Sequence, residues 1–133
     1  MDKDYMELID VNDGISDDVI NTTEQEMKIR FPIEYRDFML KYNGCEGEIG
    51  EISYISLWKM EELAELNRSY SVKEFTPNFV YFGSDGGDMA YAFDFSAGEV
   101  SYIEFPFMSI DESDKEVLGA TLDEFFMTLY KRR

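Results

Sequence analysis

From residue 79 to residue 105 the apolar pattern of this chain has a period of two, and that stretch restricts the fold more than any other. Successive side chains of a strand point to opposite faces, so such a run reads as a strand with two unlike faces. Three runs, "FVYF", "MAYAFDF" and "VSYIEF", are separated by a GSDGG turn and by "SAGE". Connections this short predict an antiparallel meander. In the middle run Met89, Tyr91, Phe93 and Phe95 point one way, and Ala90, Ala92 and Asp94 the other. The large face fills a core, and the small face leaves room for a packed helix.

Helical spacing surrounds the meander. In "SDDVINTTEQEM" Ser16 is placed to cap a helix, Asp17 and Asp18 suit its positive end, and Val19, Ile20, Thr23 and Met27 form its apolar stripe. In "FPIEYRDFMLKYNG" Pro32 fits the first helical position, and Tyr35, Phe38, Met39 and Tyr42 follow at i, i+3, i+4, i+7 before Asn43-Gly44 ends the helix. "EISYIS" reads as a strand, after which Ser56 is placed to cap a third helix carrying Met60, Leu63, Ala64 and Asn67 on one face, with Trp58 at its start. In "TLDEFFMTLYKRR" Thr121 and Glu124 form a capping box, Leu122, Phe125, Phe126, Leu129 and Tyr130 the apolar face, and Lys131 to Arg133 complement the helix dipole. This order predicts an α+β fold: a single domain over 1–133, with 1–15 a short acidic lead, and a mainly antiparallel β-sheet flanked by about four α-helices.

At 133 residues the chain can bury roughly 68% of the surface its unfolded form exposes. Its charge is lopsided: 29 acids against 12 bases give −17 at pH 7. Residues 1 to 27 hold nine acids and one base, residues 101 to 125 seven acids and one base, and the last eight residues three bases and no acid. Such a field repels nucleic acid and anionic lipid and speeds encounter with a basic protein. An acidic balance also serves solubility alone. The opening "MDKDYMELID" lacks the basic start and apolar block of a signal peptide, and no apolar run reaches the roughly 18 residues of a membrane span, so a cytoplasmic location is expected.

Candidate chemistry is scarce. Histidine is absent, which removes the usual general base and the commonest zinc ligand, and Cys45 stands alone after a turn. The GSDGG turn lacks the Lys-Ser or Lys-Thr of a phosphate-cradling loop, the G-x-G-x-x-G register and the calcium-loop spacing. Asp85 and Asp88, with Glu46 and Glu48 from a neighbouring loop, leave open a loose divalent-ion site; a hairpin corner whose glycines supply positive φ explains the same residues. No catalytic residues, no cofactor and no resident metal are expected.

"FPIEYRDFMLKYNG" resembles the signature opening of the SUKH superfamily in its Smi/Knr-like branch, L-P-x-D/E-Y-x-x-F-L-x-x-x-N-G. Pro32, Glu34, Tyr35, Phe38, Asn43 and Gly44 fall in register, with Phe31 and Met39 in place of leucines. Glu24 stands where that family carries a glutamate on its first helix, and "ISLWKMEELAELNRSY" looks like its strand and asparagine-terminated helix. "FVYFGSDGGDMAYAFDFSAGEVSYIEF" resembles the family's G-x-D-G-G-G-D-x-Y-x-x-D meander, with one glycine fewer before Asp88, and "LDEFFMTLYKR" its closing helix. The resemblance implies a compact non-catalytic α+β domain. Many bacterial members resemble immunity proteins that neutralise a polymorphic toxin, often a nuclease, whereas fungal relatives act as scaffolds in cell-wall signalling.

Nuclease toxins are basic because they bind phosphate backbones, so the charge and the resemblance point the same way. The expectation is a monomeric binding protein that neutralises a basic, nuclease-type toxin by contact. Its candidate partner-binding residues are Glu46, Glu48, Trp58, Asp85, Asp88 and Tyr91, with no nucleic acid or membrane as partner. The alternatives are an intracellular adaptor without a toxin, or a small-ligand or divalent-ion module using the 83–88 loop.

Overall fold

The structure, a computed structural model, describes residues 3 to 133; Met1 and Asp2, at the head of the acidic lead, lie outside the described residues. Seven strands lie side by side in chain order, every neighbour antiparallel. They are β1 (Ile9–Val11), β2 (Cys45–Ile49), β3 (Ser53–Leu57), β4 (Phe79–Ser84), β5 (Met89–Asp94), β6 (Ser101–Pro106) and β7 (Glu116–Gly119). Between them come α1 (Asp17–Met27), α2 (Ile33–Lys41), α3 (Met60–Ser69), the single turn α4 (Val72–Phe75) and the closing α5 (Leu122–Lys131). The α+β fold class expected from the sequence is the one observed. The lead contributes more than charge, because β1 pairs with β2 and both Tyr5 and Ile9 are buried.

The two faces of the meander hold two cores. Tyr91 and Phe93 join Val80, Phe82 and Tyr102 on the inner face, against Tyr35 and Phe38 of α2 and Phe125 and Phe126 of α5. Rings interlock there: Phe82 stacks on Phe93 at 4.4 Å between centroids, and Tyr35 meets Phe93 edge-on at 4.9 Å. Each such buried side chain contributes roughly 1.5–3 kcal/mol, with about 0.5–1.5 kcal/mol more for a well-placed ring pair. On the outer face Ala90 and Ala92 lie with Phe79, Tyr81, Ile103 and Phe105 beneath Val72 of α4. The small residues thus admit a helix, as the alternation predicts, although that helix is one turn long.

Three polar side chains join the elements. Glu24 of α1 accepts the Phe31 amide at 2.8 Å and the Arg36 guanidinium at 2.7 Å, fixing how α2 leaves α1. Asn43 accepts the Met60 amide at 2.8 Å and donates to Glu61 at 2.6 Å, so it caps α3 from across the fold. Asn67 of α3 accepts the Tyr81 amide at 2.8 Å and donates to the Tyr81 carbonyl at 2.9 Å. It occupies the edge of β4 where pairing with β3 has ended and the β4–β5 register shifts. All three are residues on which the family resemblance rests. Gly44, next to Asn43, has φ +84°, and a Cβ there would sit 2.5 Å from the Leu57 carbonyl oxygen.

Two details of the sequence reading are corrected. Ser56 does not cap the third helix: it lies in β3, paired with Glu46 and Ser84, and α3 begins at Met60. A distant cap from Asn43, assisted by Glu62 accepting the Lys59 amide at 3.3 Å, makes a local serine unnecessary. At the other end, Arg132 reaches beyond the α5 dipole. It forks onto Glu104 of β6 at 2.9 and 3.2 Å and touches Glu116 of β7 at 2.8 Å.

Candidate interaction surface

β2 and β3 alternate strictly. Cys45, Ile49, Ile55 and Leu57 enter the inner core, so Glu46, Glu48, Tyr54 and Ser56 face outward. Asp10, paired with Glu46, adds a third acid from β1. The Tyr54 hydroxyl donates to Glu46 at 2.6 Å, and its phenol is held above its ordinary pKa by that bond, by its surroundings and by the charges of Asp10 and Glu48. None of these three acids has a basic partner among the described residues. The bases that do pair are committed elsewhere, Arg36 to Asp17 and Glu24, Arg68 to Glu26, Lys115 to Asp94, Arg132 to Glu104 and Glu116, and Arg133 to Glu51.

The β4–β5 turn borders this strip. Gly86, with φ +82°, is its left-handed residue, and a Cβ there would lie 3.1 Å from the Tyr54 ring. Gly87 has no positive φ, so Gly86 alone supplies the left-handed backbone of this corner. Asp85 bends its carboxylate inward to accept the Gly87 amide at 2.8 Å and the Met89 amide at 3.2 Å, so its charge serves the turn. Asp88 is exposed, and its carbonyl accepts the Phe107 amide at 2.9 Å. Among the described residues no group of three or more His, Cys, Asp or Glu side chains is gathered to hold a metal.

Trp58, half-buried between β3 and α3, lies parallel to Tyr70 with ring centroids 6.3 Å apart and 6° between planes. Tyr70 stacks on Phe107 at 4.7 Å, and Phe107 meets Tyr81 edge-on at 5.7 Å. The structure therefore places Glu46, Glu48 and Trp58 on the outer side of the sheet, with Asp85 and Asp88 at its β4–β5 corner. Tyr91 is the exception and is corrected. It is 1% exposed, packs on Phe125 and donates its hydroxyl to the Tyr54 carbonyl at 2.8 Å, so no partner reaches it. The alternation of β5, which puts Tyr91 on the large face, carried that signal. Tyr70 and Phe107 are the surface aromatics that sequence reasoning missed. Their only signal was apolar residues outside any periodic run, at a helix end and just past a strand.

Residues 14 to 128 match the model of the SMI1/KNR4 family (SUKH-1). The chain belongs to that family. SMI1/KNR4 (SUKH-1) domains are known for toxin-immunity and related roles and are generally non-catalytic. No curated protein sequence matches the chain at a significant level. The SMI1/KNR4 match takes in Glu24, Asn43 and Asn67 and begins after β1, so Asp10 is an acid the chain adds from outside the matched range. Among the described residues no helix is long and apolar enough to cross a membrane.

Proposed function

We propose that this SMI1/KNR4 chain is a non-catalytic immunity protein that neutralises a basic, nuclease-type toxin by direct contact in the cytoplasm. The observation that carries the reading is the outer side of the sheet, which carries Asp10, Glu46 and Glu48, without basic partners among the described residues, and the Trp58–Tyr70–Phe107 stack. Acids at the rim raise the rate of encounter with a cationic surface, and aromatic anchors supply the contacts that slow dissociation. A nuclease is basic where it grips phosphates, so an acidic surface laid over that region excludes the substrate. The net charge of −17 supports the same partner class.

The test is co-expression with a toxin domain encoded next to the chain. Growth should be rescued, and the two proteins should co-purify at low salt. Rescue without a recoverable complex counts against neutralisation by contact.

A further inference from the structure

After β6 the chain turns back over the outer face. Phe107, Met108 and Ile110 form one wall of a groove, and Tyr70, Val72 and Phe75 form the other. Met108 is 93% exposed, Ile110 67%, Phe75 49% and Tyr70 46%, so both walls present apolar surface to water. Side chains left in this state gain free energy when covered, at about 25 cal/mol per Å², and contiguous patches of this kind mark interaction sites. The groove holds about 210 Å³. Ligand and cofactor pockets run about 300–1,000 Å³, so this volume suits one side chain better than a small molecule.

The surroundings of the groove are acidic. Asp111, Glu112 and Asp114 lie just beyond Ile110 in the chain, and the exposed Asp88 is joined to the groove wall where its carbonyl accepts the Phe107 amide. Asp111 and Asp114 accept hydrogen bonds from the neutral side chains of Ser113 and Ser109, and Glu112 from that of Asn78, which leaves their charges in place. Among the described residues no lysine or arginine lines the groove: Lys73 faces a separate cleft against α1 and α3, and Lys115 is tied to Asp94. A second copy of this chain fits poorly, since each copy carries −17.

We infer that this groove is an anchor pocket for a basic polypeptide segment, one large apolar side chain seated between Tyr70 and Met108 and flanking lysines or arginines meeting Asp111, Glu112 and Asp114. The inference rests on the proposed function and assigns the anchoring part of that contact. A single apolar anchor inside a charged ring gives specificity that charge alone lacks.

Trp58, the chain's one tryptophan, stacks on a wall residue and reports occupancy by its fluorescence. Two short lysine-rich peptides of equal charge, one with leucine and one with glycine at the centre, are titrated at low salt. The leucine peptide shifts the Trp58 emission and binds at least about tenfold tighter than the glycine peptide. Met108→Ala combined with Ile110→Ala, both at exposed positions, removes that preference without changing the urea midpoint. Equal binding of the two peptides, or a preference that survives in the double variant, overturns the inference. So does self-association of the wild-type chain that the double variant abolishes, which assigns the face to a second copy. No toxin enters this test, so failure of the groove is distinct from failure of the immunity reading.

Discussion

Replacing Asn67 by alanine isolates the joint between α3 and the sheet. Asn67 is 8% exposed and Tyr81 3%, so the two backbone groups that Asn67 serves are both buried. Removing the amide strands the Tyr81 N–H, now bonded at 2.8 Å, and the Tyr81 carbonyl, bonded at 2.9 Å. Each buried orphan costs about 1–3 kcal/mol. Asn67 also lines a cleft of about 640 Å³ between α1, α3 and β4, so water can reach part of the gap. That access places the expected loss at about 3 kcal/mol, in the lower half of the summed range of about 2–6 kcal/mol. Against a total stability of about 5–15 kcal/mol for a domain, the loss is large. Urea unfolding should show a lowered midpoint with an unchanged slope, and amide exchange should quicken at Tyr81. Asn67→Asp keeps the acceptor for the Tyr81 amide but sets a carboxylate against the Tyr81 carbonyl. Its folded pKa is thereby raised, so its deficit relative to wild type should shrink as pH falls from 7 toward 4. A loss below about 1 kcal/mol in Asn67→Ala would refute the assignment of Asn67 as a substitute strand edge.

The remaining predictions concern the core and the turn. The Tyr35 hydroxyl is buried without a hydrogen-bond partner among the described residues, so Tyr35→Phe should leave the urea stability unchanged or raise it by about 1 kcal/mol; a loss of that size would contradict the geometry. Burial pushes the phenols of Tyr35, Tyr91 and Tyr102 up, aided by Cys45 at Tyr35, by Glu104 and Asp85 at Tyr91 and by Glu34 at Tyr102, and it pushes the Cys45 thiol up to about 12. Groups whose folded pKa is raised hold their stabilisation below the unfolded pKa and lose it above. Stability should therefore start to fall near pH 9, where the thiol alone contributes, and drop by about 5.5 kcal/mol per pH unit above about pH 10, once the three tyrosines join it. A slope of about one group in alkaline urea titrations would show that the rings are not buried together. At the β4–β5 corner, Gly86→Ala should cost about 1–2 kcal/mol for its left-handed backbone and Gly87→Ala much less, as thermal unfolding of the two variants can show; equal costs would refute the turn assignment.

The sequence disclosed the elements whose side chains alternate or recur, because buried faces impose that pattern. β4, β5, β6 and α5 fall in this class. β2, "CEGEI", was not legible: its outward glutamates and central glycine are poor strand formers, and it exists because β1 and β3 satisfy its backbone on both sides. β1 and β7 are short edges of three and four residues, and α4 is a single turn, all too brief for a period to show. Ser56 misled because the cap of α3 comes from Asn43, 17 residues upstream of Met60. Of the candidate surface, the outward acids of β2 were legible from composition. Tyr70 and Phe107 were not, since their stacking depends on the chain folding back after β6.

The central claim is contact between an acidic surface and a basic toxin. Its most direct measurement is the affinity of the purified chain for the adjacent-encoded toxin domain across a range of salt concentrations, repeated with Glu46→Lys, Glu48→Lys and Asp88→Lys combined. The account predicts a complex whose affinity falls as salt rises, and a triple variant that binds at least about tenfold more weakly at low salt with its urea midpoint preserved. A complex indifferent to both salt and charge reversal, or toxin inhibition with no complex, contradicts it.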